Sequence, residues 1–148
     1  PLHYAAEEGH IKMLKCLVEE LSADVNQADD DGSTALMLAV QCGRLDVVRD
    51  LLEKLGADPG QVKHDGFTPL IIAAQCGHLD LVIYLANDLD TDVNQATNNG
   101  ATSVHIAAQY GHLEVLLYLV KELGADVDRA DNDGCTPLHL GAYNGHLN

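Results

Sequence analysis

Gly66-Phe67-Thr68-Pro69-Leu70-Ile71-Ile72-Ala73-Ala74-Gln75-Cys76-Gly77-His78 returns, altered but recognisable, every 34 residues of the 148-residue chain. Its first glycine recurs as Gly32, Gly66, Gly100 and Gly134, and its second as Gly9, Gly43, Gly77, Gly111 and Gly145, with no slip of register. A fixed period of this size is the mark of stacked copies of one supersecondary unit, none of which can bury its apolar face alone. The rhythm therefore predicts a single array over residues 1–148, with units at 1–28, 29–62, 63–96, 97–130 and 131–148, the first and last of them partial.

Working outward from the repeated segment, each unit reads as helix, glycine turn, helix, hairpin. Thr34, Thr68, Thr102 and Thr136 stand where a side-chain oxygen can cap a first helix, and the alanine pairs within those helices let neighbours lie close. The glycine that follows is suited to the left-handed conformation that ends a helix. In the second helices leucines and valines fall three and four residues apart, as in Leu14, Leu17, Val18 and Leu21 of an expected helix over 11–21. That spacing gives one buried stripe. Asp/Asn-rich tetrapeptides ending in glycine, such as Asp29-Asp30-Asp31-Gly32 and Asp131-Asn132-Asp133-Gly134, are hairpin or β-turn signals. The expected fold class is thus all-α, a solenoid of helix–turn–helix units with β-hairpin-like turns between them.

Composition narrows the function classes. With 47% hydrophobic residues the chain has the material for a folded core. Its apolar runs, such as Leu81 to Ala86 and Val115 to Val120, are far shorter than a bilayer span. The formal charge is −15 at pH 7, a field that repels phosphate backbones and anionic lipid, so nucleic acid and membrane insertion are not expected. The acidic residues either solubilise a long surface or steer basic proteins and peptides towards it. Cys16, Cys42, Cys76 and Cys135 form no CxxC pair. Cys42 and Cys76 hold equivalent places in adjacent units, where helices pack ~8–10 Å apart, too far for a disulfide without backbone movement. Free thiols in an intracellular, cytoplasmic setting are expected.

Gly66-Phe67-Thr68-Pro69-Leu70 and Thr136-Pro137-Leu138-His139, together with the Ala-Ala, Gly-His and Gly-Ala-Asp-Val elements, resemble the ankyrin repeat over the whole chain. The period exceeds the family's ~33 residues by one, and the extra residue is placed at the end of the second helix, where Leu21, Leu55, Leu89 and Leu123 recur. Ala35 and Ser103 depart from the family's proline, and Met37 and Ile71 from its histidine. Pro59-Gly60-Gln61 replaces the usual Val-Asn, so an irregular exit from the second unit is expected.

Seven of the eight histidines, His3, His10, His78, His105, His112, His139 and His146, fall on repeat positions. The resemblance implies structural roles: those of the first helix bond across the hairpin, and those after glycine open the second helix. His64 sits on a hairpin tip. Asp29-Asp30-Asp31-Gly32 fails as a calcium loop because Leu38 stands where the bidentate Glu is needed. No phosphate-cradling loop or nucleophile elbow is present, and Cys76-Gly77-His78 brings no third group to orient it. No catalytic residue, metal ligand or cofactor is expected.

The resemblance implies instead a concave face lined by hairpin tips and first-helix ends, on which the family binds proteins. By position, that face takes Glu7, Glu8, Asp30, Asp31, Ser33, Gln41 and Cys42, then His64, Asp65, Phe67, Gln75 and Cys76. It continues with Asn98, Asn99, Ala101, Gln109 and Tyr110 and ends with Asn132, Asp133, Cys135, Tyr143 and Asn144. Its first half is acidic and its second neutral with tyrosines. Phe67, Tyr110 and Tyr143 are the expected aromatic anchors, with the alternative that Phe67 folds down onto its hairpin. The exit-loop residues Asn26 and Asn94 either bond the hairpin backbone or, as in some members of the family, accept hydroxylation. The function expected is a non-enzymatic scaffold for a protein or peptide partner, the alternative being a spacer or regulatory segment of a larger chain. Neither end resembles a polar capping unit, so a piece of a longer array is expected, with head-to-tail self-stacking through its open ends.

Overall fold

In a computed structural model of the protein, residues 1–87, 89 and 91–146 are described; Leu147 and Asn148, the last two residues of the expected fifth unit, lie outside them. Among the described residues the helices are α1 Leu2–Glu8, α2 Ile11–Lys15, α3 Ala35–Gln41, α4 Leu45–Glu53, α5 Pro69–Cys76, α6 Leu79–Asn87, α7 Ser103–Tyr110, α8 Leu113–Lys121 and α9 Pro137–Tyr143. A π turn, Cys16–Glu20, continues α2. The chain is an all-α solenoid, and the described residues contain one isolated bridge, Ala96 to Thr102, and no named strand.

The first helices stack in the row α1, α3, α5, α7, α9, and each of the first four also packs on its own second helix. Ala5, Ala39, Ala73 and Ala107 are fully buried in that row, since a methyl group is all the space between adjacent backbones admits. On the outer side only α6 and α8 make more than sparse contact. Layers closer on one side than the other are wedges, and a stack of wedges curves towards its closer side. The hairpin tips and first-helix ends thus line the inside of the curve.

Thr34 and Thr68 cap α3 and α5 by accepting from the N–H groups of Met37 and Ile71, at 3.4 and 3.1 Å. The second helices bury the expected stripe; in α4, Val47, Val48 and Leu51 are fully buried. The 34th residue is absorbed where the sequence places it. Leu21 and Leu55 donate five residues back, to Cys16 and Asp50 carbonyls at 3.1 Å, making one wide turn in place of an α-turn. Ala23, Ala57 and Ala125 then close their helices by donating to Leu17, Leu51 and Leu119 at 2.9 Å. Leu55 joins the core, but Leu21, at the end of the longer π turn, is 67% exposed. The expected single helix over 11–21 is therefore a short α-helix and a π turn. The exit from the second unit keeps the local turn, since Gly60 N–H donates to Asp58 Oδ1 at 2.8 Å as Asn26 and Asn94 do to Asp24 and Asp92. It departs from the others in having no side chain, such as those of Asn26 and Asn94, to tie it to the next exit loop. The local turn needs only the aspartate acceptor and a backbone N–H.

Candidate functional site

The inner surface starts from four tight turns. Gly32, Gly66, Gly100 and Gly134 donate to the carbonyls of Asp29, Lys63, Thr97 and Asp131 at 2.8–3.1 Å. Below them Asp29, Lys63, Thr97 and Asp131 donate in turn to Ser33, Phe67, Ala101 and Cys135 at 2.9 Å. Successive tips are then tied to one another: His64 N–H to Asp31 O, Asn98 N–H to Asp65 O and Asn132 N–H to Asn99 O, at 2.9–3.1 Å. The amides of Asn98 and Asn132 add side-chain rungs to His64 O and Asn98 O, at 2.8 and 3.0 Å. Gly66 is required by this closeness: a Cβ there would lie 2.7 Å from the Asn98 backbone nitrogen.

A second row of ties runs between the glycine turns. His78, His112 and His146 place Nε2 on the carbonyls of Gln41, Gln75 and Gln109 at 3.1, 2.9 and 3.1 Å. A carbonyl only accepts, so each of these rings carries its proton on Nε2. Arg44, at the same repeat position, donates from Nε to Glu7 O at 3.2 Å. The sequence reading assigned Arg44 no role, although its register with His10, His78 and His112 was the signal. His78 and His112 immediately precede α6 and α8, as expected, and Arg44 precedes α4; all three, like His146, also bridge to the preceding unit.

First-helix histidines serve the other end of each layer. His105 is fully buried; its Nε2 meets Cys135 O at 3.2 Å and its Nδ1 accepts from Thr102 N–H at 3.2 Å. Burial pushes its pKa down. His3 makes the corresponding bond to Ser33 O at 3.1 Å. Where the family histidine is missing, Met37 and Ile71 fill the place, each 1% exposed. Asn26 and Asn94 bridge exit loops, their Oδ1 atoms accepting from the N–H groups of Asp58 and Asp126 at 2.8 and 3.1 Å.

The expected contact residues separate into three groups. Glu7, Glu8, Asp30, Asp31, Gln41, Cys42, His64, Asp65, Asn98, Asn99, Gln109, Tyr110, Asn132, Asp133, Tyr143 and Asn144 are exposed. Phe67, Gln75, Cys76 and Cys135 are half-buried. Ser33 and Ala101 are buried, at 6% and 3%, because the rung beneath each tip faces the next layer. Phe67 packs against Ile71 of its own first helix and Ala101 and Ile106 of the next unit. Tyr110 lies parallel to the His112 ring at 6.4 Å and accepts from Gln75 Nε2 at 3.2 Å. Tyr143 is 90% exposed.

The chemistry of this surface is that of contact. All four cysteines are free; burial pushes the Cys76 thiol up, and the Glu20 carboxylate beside Cys16 does the same there. Both are the opposite of an activated thiolate. Among the described residues no group of three or more His, Cys, Asp or Glu converges to hold an ion. No helix among the described residues is long and apolar enough to cross a membrane. On the outer side, buried Asp50 bonds Lys15 at 2.8 Å and also Lys54, and these bonds hold its carboxyl below the usual range.

The family model described as ankyrin repeats (three copies) matches residues 1–63, 55–131 and 90–148, which together span the chain. The protein belongs to the ankyrin-repeat family. No curated protein matches it. Ankyrin repeats generally serve as protein–protein interaction modules and are typically non-enzymatic. In this ankyrin array, the resemblance read from the sequence and the stacked layers of the structure coincide in the described residues from α1 to α9.

Proposed function

We propose that this array is a non-enzymatic scaffold that holds a protein or peptide partner along the inner surface formed by its tips and first-helix ends. The observation carrying this reading is the pair Tyr110 and Tyr143, 48% and 90% exposed, on the curved side of a frame that is otherwise tied down layer by layer. Aromatic side chains on a rigid support bind at small ordering cost. The carboxylates of Glu7, Glu8, Asp30, Asp31 and Asp65 lie at the other end. They favour a partner with basic residues there, and salt should weaken that attraction. Nucleic acid and bilayer are disfavoured by the same field. An intracellular location fits four free thiols.

A second reading, a spacer or regulatory segment of a larger chain, is favoured by Asn98 and Asn132, whose amides are already engaged by neighbouring tips. Selection of a random peptide library on the folded chain separates the two. Scaffolding predicts selected peptides rich in Lys and Arg whose binding is lost on Tyr110→Ala with Tyr143→Ala, at an unchanged urea midpoint. Failure to select any peptide, or indifference of the selected ones to both tyrosines and all five carboxylates, would leave the spacer reading standing.

A further inference from the structure

Asn99 and Asn144 each precede a glycine and are exposed. In such a step the glycine nitrogen has no side chain beside it and can add to the asparagine side-chain carbon, closing a succinimide ring. At Asn99 the fold forces the glycine but not the asparagine. Gly100 has φ +84°, and a Cβ there would lie 2.6 Å from Asn132 Oδ1. The equivalents of Asn99 are Asp31, Asp65 and Asp133, so an aspartate satisfies the same tip.

The two steps differ in how the asparagine side chain is held. Both glycine N–H groups are engaged: Gly100 donates to Thr97 O at 2.9 Å and Gly145 to Ala142 O at 3.1 Å. Asn144 ties down its leaving nitrogen, Nδ2 donating to Leu140 O at 2.9 Å. At Asn99 the bonds fall on the oxygen instead. Ala101 N–H donates to Oδ1 at 3.4 Å, and the Thr97 hydroxyl shares its proton between Oδ1 and Ala101 O. An N–H only donates, so the atom facing Ala101 is the amide oxygen. Nδ2 of Asn99 has no hydrogen-bond partner among the described residues. Donors on a carbonyl oxygen stabilise the charge it gains as a nucleophile adds, and an untied nitrogen departs more easily.

We propose that Asn99 is a self-modification site on the inner surface: Gly100 N adds to its Cγ, ammonia leaves, and water opens the ring to aspartate or isoaspartate. The Gly100 N–H proton passes to solvent and Nδ2 takes one up as it leaves, so water is the only co-reactant. Water adding at Cγ restores the main chain and leaves an aspartate, the residue of the equivalent tips. Water adding at the main-chain carbon leaves isoaspartate, which routes the chain through Cβ and Cγ and lengthens it by one methylene. The oxygen that accepts from Asn132 N–H at 2.9 Å then belongs to a free carboxylate, and the tie between those tips loses its place. Either product puts a negative charge into the neutral half of the surface. At Asp31, Asp65 and Asp133 the same closure starts from a carboxylate, whose charge repels the nucleophile, so those tips convert more slowly.

The test incubates the folded chain in heavy-oxygen water at neutral pH and follows both steps by peptide mapping and mass spectrometry. Asn99 should convert about 2- to 10-fold faster than Asn144, the worth of one hydrogen bond on the departing nitrogen. In urea, where neither side chain is held, that difference should disappear. Thr97→Val leaves the main-chain bond from residue 97 to Ala101 O in place and should slow conversion about 2- to 10-fold. Thr97→Ser, which keeps the hydroxyl, should convert at the original rate. In the isoaspartate fraction the Asn132 amide should exchange its hydrogen faster than in Asn99→Asp; equal exchange would overturn the released tie. The proposal itself is overturned if Asn99 stays intact, if Asn144 converts as fast in the folded chain, or if Thr97→Val at an unchanged urea midpoint makes no difference.

Discussion

Replacing Gly77 with alanine tests the claim that the layers are held at a fixed, close approach. Gly77 has φ +74°, and a Cβ built there would lie 2.5 Å from His112 Nδ1 and 2.7 Å from Cε1. Gly9, at the same repeat position, has φ +80°, but its added Cβ would meet only the Arg44 side chain, no nearer than 3.6 Å. Both substitutions incur the left-handed penalty of a side chain, about 1–2 kcal/mol. Only Gly77→Ala must also push the imidazole aside and break its 2.9 Å bond to Gln75 O, a further ~0.5–1.5 kcal/mol. Urea unfolding should therefore show Gly77→Ala costing ~2–3 kcal/mol and Gly9→Ala about 1–2 kcal/mol. The decisive arm is a double-mutant cycle. With His112→Ala in place, Gly77→Ala should cost no more than Gly9→Ala, which leaves a coupling of ~0.5–1.5 kcal/mol. Equal costs for the two glycines, or no coupling with His112, would refute the account of why that glycine row exists.

Four further outcomes follow from particular residues. Ser22 has φ +54° where Gly56 and Gly124 have +77° and +65°, so Ser22→Gly should raise stability by about 1 kcal/mol in urea unfolding. Gly60 lacks the side chain with which Asn26 and Asn94 reach the next exit loop; since its φ is not positive, Gly60→Asn should add ~0.5–1.5 kcal/mol and slow hydrogen exchange at the Asp92 amide. His105 is held neutral, its pKa lowered by burial and its Nδ1 occupied as an acceptor from Thr102 N–H. Its contribution to stability is therefore complete above the ordinary histidine pKa of ~6.5 and is lost as pH falls through the lower folded value; His105→Met, with the residue found at the equivalent Met37, should flatten the urea midpoint between pH 7.5 and 5. Phe67→Ala should cost ~2–3 kcal/mol by emptying the contact with Ile71 and Ile106, while Tyr143→Ala should leave the midpoint unchanged, which would separate packing from contact.

Why the sequence discloses the frame and withholds the partner follows from which atoms join the layers. The period, the glycine rows, the alanine pairs and the threonine caps each answer a demand of backbone geometry, and every copy must answer it again, so repetition makes them legible. Even the added residue could be placed, because a one-residue surplus has to widen a turn, and Leu55 donating to Asp50 O is that turn. What repetition did not reveal was local. The π turn at Cys16–Glu20 occurs once among the described residues, and the burial of Ser33 and Ala101 depends on the neighbouring layer. The ties between tips end on main-chain carbonyls of Asp31, Asp65 and Asn99, and those between helices on the carbonyls of Gln41, Gln75 and Gln109. Of these six, Gln75, Asp65 and Asn99 also bond through their side chains, to Tyr110, Phe67 N–H and Thr97, whereas Asp31, Gln41 and Gln109 enter the ladder through the main chain. Substituting Asp31, Gln41 and Gln109 should leave the stack standing, and under the scaffold reading proposed above it should change what the stack can hold. A scan of Asp31, Gln41 and Gln109 to alanine should accordingly shift peptide affinity with little change in urea midpoint; unfolding at any of them would mean that the side chains, and not the carbonyls, join the layers.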